Sequence, residues 1–147
     1  MILLSRIDAD IVAALKNRES EKVEVLRYLK SGLQNAGIVK KGELTNTEVE
    51  KQIASEIKRR NEAVVQFKTG GREDLAEKDK NAIEILKKYL PESLPEAEIE
   101  KIIREIIAAV GASSVKDFGK VMGPVMAKIG TRADGKAVQA KVKELLS

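Results

Sequence analysis

The chain has 147 residues, 43% of them hydrophobic and 34% charged, which fits one large domain or two small ones and is too apolar for wholesale disorder. Its 27 Lys and Arg against 23 Asp and Glu leave a net charge of +4 and a pI of about 9.2. With no Cys and no His, disulfide scaffolds, thiolate nucleophiles, thiolate zinc, Ser-His-Asp triads, HExxH sites and histidine pH switches are all excluded.

The opening run Met1-Ile-Leu-Leu-Ser-Arg6 meets Asp8 and Asp10 too soon for a secretory apolar region. No stretch approaches the roughly 18 apolar residues of a membrane span. The expectation is a soluble, cytoplasmic chain with no membrane partner. Leu4, Ile7, Ile11 and Leu15 fall at helical spacing and predict a first helix of about four turns. After the polar break Asn17–Lys22, Leu26, Leu29, Leu33 and Ala36 predict a second helix, ending near Gly37 or fraying toward Gly42. Thr45-Asn-Thr-Glu48 fits a capping box for a long third helix carrying Val49, Ile53, Ile57, Val64 and Phe67, stopped by Gly70-Gly71. Leu75, Ala82, Ile83, Leu86, Tyr89 and Leu90 predict the fourth.

Leu90-Pro-Glu-Ser-Leu-Pro-Glu96 is the one joint marked by two prolines. Pro91 is expected to end the fourth helix and Pro95 to sit in the first turn of the next. The expected division is an N-terminal domain over 1–91 and a C-terminal module over 92–147. Three shorter helices are predicted beyond the joint. The fifth carries Ile99, Ile102, Ile103, Ile106, Ile107 and Val110 and closes at Gly111. The sixth starts at Ser113 or Ser114, with a serine as its cap, and carries Phe118, Val121, Met122, Val125, Met126 and Ile129. The seventh follows Asp134 and carries Val138, Val142, Leu145 and Leu146. No segment alternates with period two, so the expected fold is all-α, four helices and then three. A C-terminal module this small is marginal for independent folding.

Charge is unevenly spread. Residues 92–110 sum to −3, residues 111–147 to +4 and residues 1–91 to +3. The basic excess per residue is greatest in the last two helices and the loop between them.

Little here suggests catalysis. A serine nucleophile would have only Lys as its base, and Glu96, Glu98 and Glu100 favour a helix dipole as a solvated face. No phosphate-cradling loop, dinucleotide fingerprint or calcium loop occurs, so no catalytic residue, metal or cofactor is expected. Three features stand out. In Phe118-Gly-Lys-Val-Met-Gly-Pro-Val-Met126, Gly119 and Gly123 share one helix face, and each costs about 1 kcal/mol against Ala. They serve close helix packing within the module or close approach of a partner, with Lys120 beside the bare surface. Lys128-Ile-Gly-Thr-Arg132-Ala-Asp134-Gly-Lys136 is either a phosphate site at a helix start or a solvated turn with a capping Asp. Lys58, Arg59 and Arg60, with Arg72, form a second basic cluster, although a helical triplet of this kind is usually just solvent-facing surface. With Tyr28, Tyr89, Phe67 and Phe118 as the only aromatics, base stacking is disfavoured, and nucleic acid would be held by backbone and shape.

Gly71-Arg-Glu-Asp-Leu-Ala-Glu77, Ile85-Leu-Lys-Lys-Tyr-Leu-Pro-Glu92 and Asp117-Phe-Gly-Lys-Val-Met-Gly-Pro-Val-Met126 with Arg132-Ala-Asp134 resemble the YqeY-like family, and the resemblance runs nearly the full length of the chain. Its tail is similar to the C-terminal domain of the GatB subunit of glutamine-dependent tRNA amidotransferase. The resemblance implies a tRNA-contacting appendage, with activation and amide transfer occurring elsewhere in that assembly. A label of carbon–nitrogen ligase with glutamine as amido donor would be inherited from the whole enzyme. The chain departs from the pattern at Pro95, where a capping Ser is expected, and at Gly135, where the amidotransferase tail has Pro.

The leading expectation is a noncatalytic module that binds tRNA or another structured RNA, alone or beside an amidotransferase or synthetase. Its RNA-binding candidates are Lys120, Lys128, Arg132 and Lys136, with Lys58, Arg59, Arg60 and Arg72 as the rival cluster. The competing reading is a helical adaptor that docks a protein through the Gly119–Gly123 face. A third, an amide-transferring enzyme, lacks any residue for the nucleophile's role.

Overall fold

A computed structural model describes residues 2–147. Seven α-helices occur among them and no strand: α1 (Ile2–Lys16), α2 (Ser20–Lys40), α3 (Asn46–Thr69), α4 (Glu73–Lys87), α5 (Glu96–Val110), α6 (Phe118–Ile129) and α7 (Gly135–Leu146). Short 3-10 turns, Val115–Asp117 and Gly130–Arg132, precede and follow α6. The all-α expectation of four helices and then three is met. The chain divides into two compact units between Leu90 and Pro91.

In the N-terminal unit, α1 contributes Leu3, Ile7 and Ile11 to a core that also holds Val25, Leu26, Leu29, Leu33, Leu44, Val49, Ile53, Ala82, Leu86 and Tyr89. The buried stripe of α1 ends at Ala14, not at Leu15, which is 48% exposed. At 3.6 residues per turn, 3, 7, 11 and 14 share a face that 15 has already rotated past. The second helix starts at Ser20, inside the polar stretch expected to break it, and passes Gly37 to stop at Lys40. Lys41 then turns left-handed at φ 62° and donates its N–H to the Ile38 carbonyl. No side chain caps the α2 start.

The capping box of α3 forms as expected. Thr45 Oγ1 accepts from the Glu48 N–H at 3.2 Å, and Glu48 Oε2 accepts from the Thr45 N–H at 2.7 Å. Lys40 Nζ adds 2.7 and 2.8 Å bonds to Glu48 Oε2 and the Glu43 carbonyl, tying the end of α2 to the start of α3. The first residue of α3 works twice, since Asn46 Oδ1 accepts the Leu3 N–H at 3.3 Å in the first turn of α1. Gly70-Gly71 ends α3. Gly71 sits at φ +74°, and the Arg72 N–H returns to the Phe67 carbonyl at 2.7 Å. That tight corner lays α4 back along α3, and Val64, Ala76 and Ile83 close a second small core with Ile57 and Phe67.

Pro91 does not itself end α4, which stops at Lys87; Tyr89 and Leu90 already lie in a turn, their N–H groups bonded to Leu86 and Lys87. Pro95 takes the cap position of α5 and not its first turn, with its carbonyl accepting from Glu98 and Ile99.

The C-terminal unit packs Ile102 and Ile103 of α5 against Val121, Val125 and Ile129 of α6 and Val138, Val142 and Leu146 of α7. Gly111, at φ +67°, closes α5. The Leu94 N–H donates to the Arg132 carbonyl at 2.8 Å and ties the approach to α5 to the turn after α6. Neither Ser113 nor Ser114 caps the next element with its hydroxyl. Asp117 reaches back instead, its Oδ2 accepting from the Ser113 N–H at 2.9 Å. That bond holds the Asp117 carboxyl below its ordinary value.

Candidate nucleic-acid interface

The segment 117–136 holds the features singled out in the sequence. Gly119 and Gly123 do fall on one side of α6, but it is an exposed side: a Cβ at either position would meet no atom within 4 Å. No helix of this unit therefore needs them as glycine, and close packing within the module is ruled out. Pro124 lies inside α6 and is also exposed. Having no N–H, it frees the Lys120 carbonyl, one turn earlier, toward solvent. The outer face of α6 is thus bare backbone edged by Lys120.

The four C-terminal cations do different work. Lys120 is exposed, with Asp117 at 3.8 Å, and Lys128 is exposed, with Glu105 of α5 at 3.8 Å. Pairs this long and open contribute little to folding, so both ammonium groups are free to exchange partners. Arg132 is committed. Its Nη2 donates to the Lys128 carbonyl at 2.6 Å and its Nε to the Ile129 carbonyl at 3.2 Å, so it caps the end of α6. Lys136 is exposed in the first turn of α7. Asp134 occupies the cap position of α7, yet its side chain makes no capping bond. The first N–H groups of α7, those of Gly135, Lys136 and Ala137, lack a side-chain acceptor, and Arg132 and Lys136 are close to them in sequence.

Lys141 gave no sequence signal beyond its three-residue spacing from Glu144. In the structure its side chain is 18% exposed among Glu96, Glu100 and Glu144, at 3.7, 3.5 and 3.6 Å. Burial opposes its charge, but the surrounding carboxylates outweigh that and hold its ammonium above the ordinary value. It clamps α5 to α7 and is not a surface cation. The pairing of α5 with α7 is tertiary and invisible to local spacing.

In the rival cluster three of the four cations sit in ion pairs, although only Arg60 is largely buried. Glu56 is buried and accepts from Arg59 at 2.5 Å and from Arg60 at 3.0 Å. Arg60 also reaches Asp79 of α4 at 2.9 Å. Arg72 forms two 3.2 Å bonds with Asp74 beside the α4 start. Lys58 alone of the four projects as a simple exposed cation. A further cluster, unforeseen in the sequence, lines a cleft of about 550 Å³. There the Tyr89 hydroxyl donates to Asp10, and the Arg6 guanidinium lies 4.7 Å from the ring centre while donating to the Lys88 carbonyl at 3.1 Å. Burial first, and then the Asp10 bond, pushes the Tyr89 hydroxyl well above the ordinary tyrosine range. These contacts fasten the turn after α4 to α1.

Among the described residues no group of three or more Asp and Glu is gathered as a metal would require, and no helix is long and apolar enough to cross a membrane.

Known proteins align with this chain, one over nearly all of it and two over more than half. A fungal protein of Pyrenophora tritici-repentis, named altered inheritance of mitochondria protein 41, mitochondrial, is 26% identical over 147 residues, covering 99% of this chain and 81% of its own. An uncharacterized protein of Schizosaccharomyces pombe is 30% identical over 82 residues, covering 56% of this chain and 67% of its own. A Candida glabrata protein with the same name as the first is 28% identical over 92 residues, covering 61% of this chain and 50% of its own. Residues 4–146 match the Yqey-like protein family, and the chain belongs to it.

Proposed function

We propose that the chain is a noncatalytic helical module that binds tRNA or a similarly folded RNA through its C-terminal unit, alone or beside an amidotransferase or synthetase. The observation that carries this reading is the arrangement at 120–136. Lys120, Lys128 and Lys136 are exposed cations in weak pairs or none, and Arg132 stiffens the turn that leads into an α7 start with no side-chain cap. Phosphates are recognised by such mobile ammonium groups and free backbone N–H groups. The likeness of this tail to the amidotransferase B-subunit tail supports the same partner. A cytoplasmic setting belongs to this proposal; the names of two fungal relatives place those proteins in mitochondria.

The carbon–nitrogen ligase label stays, in this reading, with the whole amidotransferase. Purified chain given glutamine, ATP and Glu-tRNA(Gln) is expected to make no Gln-tRNA. Turnover persisting after removal of the host amidotransferase would overturn the noncatalytic reading.

The open face of α6 favours a second reading, a protein adaptor docking against Gly119 and Gly123. Salt separates the two. Binding of total tRNA through several lysines weakens steeply between low and moderate salt, whereas docking on bare helix backbone does not. An electrophoretic shift series with total tRNA at two salt concentrations reads this directly. A salt-independent shift, or none at all, would remove the RNA reading.

A further inference from the structure

Tyr28, on α2, is 60% exposed. A lone exposed aromatic needs no explanation, but this ring has an arginine beside it. The Arg60 guanidinium lies 5.7 Å from the ring centre and is itself fixed by Glu56 and Asp79. Ser31, Gly32 and Asn35 follow Tyr28 at three, four and seven residues, on the same face of α2. Across from them Gln52 and Arg59 share a face of α3, seven residues apart. These six residues line a groove of about 270 Å³ between the two helices.

The chemistry of that groove is specific. A flat, largely open ring forms one wall. Asn35 and Gln52 both reach solvent, and each carboxamide offers two N–H donors and one acceptor. Arg59 extends to solvent while anchored on Glu56. At Gly32 the wall is bare backbone, and a Cβ there would meet nothing within 4 Å. The groove falls just short of the roughly 300–1,000 Å³ that drug-sized ligands occupy, which suits one planar ring system. Unpaired RNA bases are bound by this combination of an aromatic face, carboxamides at the base edge and an arginine for the phosphate.

We propose that this groove takes one unpaired nucleotide of an RNA, its base stacked on Tyr28, its edge read by Asn35 and Gln52, and its phosphate met by Arg59. The site rests on the RNA reading above and adds to it a requirement for an unpaired base. A docked protein helix would instead use the second groove that Tyr28 borders, lined by Leu15 and Val23.

The test uses the full chain and two RNAs, a blunt hairpin and the same hairpin with a long, flexible unpaired 3′ tail. The tail is expected to tighten binding to the natural protein roughly tenfold, within the range measured for stacking one base. Tyr28→Leu keeps its melting temperature and its blunt-hairpin affinity but loses the tail's advantage, while Tyr28→Phe retains it. Asn35→Ala with Gln52→Ala reduces the advantage several-fold. If the blunt hairpin binds and the tail adds nothing, or adds as much to Tyr28→Leu, the base site is overturned, the RNA reading stands, and the Tyr28 surface falls to a protein partner. If neither hairpin nor tRNA binds, the RNA reading fails and takes the site with it.

Discussion

Glu56 and Gly119 are the residues whose structural settings differ most from what their types suggest. A glutamate in a run of charged helix residues reads as surface, yet Glu56 is buried and holds two arginines. Glu56→Ala leaves Arg60 half-shielded with Asp79 as its remaining partner. A loss of roughly 2–4 kcal/mol is expected, between the worth of a charge-assisted bond and that of a broken buried pair. Lys58→Ala, two residues on, should lie within about 0.5 kcal/mol of the natural chain. Urea titrations of both variants check the contrast, and equal effects would show that the buried pairing does not form. Gly119 has the opposite character. Since a Cβ there meets nothing, Gly119→Ala should stabilise the chain by up to about 1 kcal/mol, read as a raised melting temperature. Destabilisation would mean that a neighbour packs on that face. Gly123→Ala is the poorer test, because Pro124 disfavours helical geometry at a residue with a Cβ before it. Gly119 was conspicuous in the sequence and Glu56 was not, and the burial of each depends on which neighbouring helix arrives, of which local spacing carries no record.

At the scale of elements, helix ends decide most of what the sequence made legible and what it hid. The Thr45–Glu48 box and the glycine stops at 70–71 and 111 are local devices, written within four residues, and they form as expected. The starts of α2 and α6 were less legible, because neither uses a hydroxyl cap, whereas α7 begins after Asp134 as expected although that side chain makes no capping bond. The Ser113-Ser114 pair misled, since Asp117 supplies the bond from the far side of the turn. Thr45→Ala should cost about 1 kcal/mol. Glu48 gives the same junction a pH signature. The Lys40 bond first, and then the Thr45 N–H, hold its carboxyl below the ordinary 4.5. The stabilisation is therefore complete above that value and is lost as pH falls through the lowered one. Glu48→Gln should be less stable than the natural chain at pH 7, with the gap narrowing below pH 4 or so in denaturant titrations. A gap that stays constant down to pH 2 would show that the ionised carboxylate is not what holds the junction.

For the whole molecule, apolar periodicity was enough to read seven helices, because each buries a single stripe. The distribution of free charge was not readable in the same way. Counting cations put Arg60, Arg132 and Lys141 on the surface with the rest, whereas each is spent on a tertiary contact or a helix end. What remains exposed on α6 and in the first turn of α7 is Lys120, Lys128 and Lys136. That remainder is the proposed RNA contact, and it defines a cleaner experiment than replacing every basic residue, since Arg132 and Arg60 hold the fold. The decisive comparison is tRNA affinity across a salt series for the natural chain, for the triple variant Lys120→Ala, Lys128→Ala, Lys136→Ala, and for Lys58→Ala with Arg72→Ala. The triple variant should melt with the natural chain, bind tRNA more weakly, and lose roughly one unit or a little less of salt slope per lysine, while the second variant binds as the natural chain does. Unchanged affinity and slope in the triple variant, beside a loss in the second, would contradict the account.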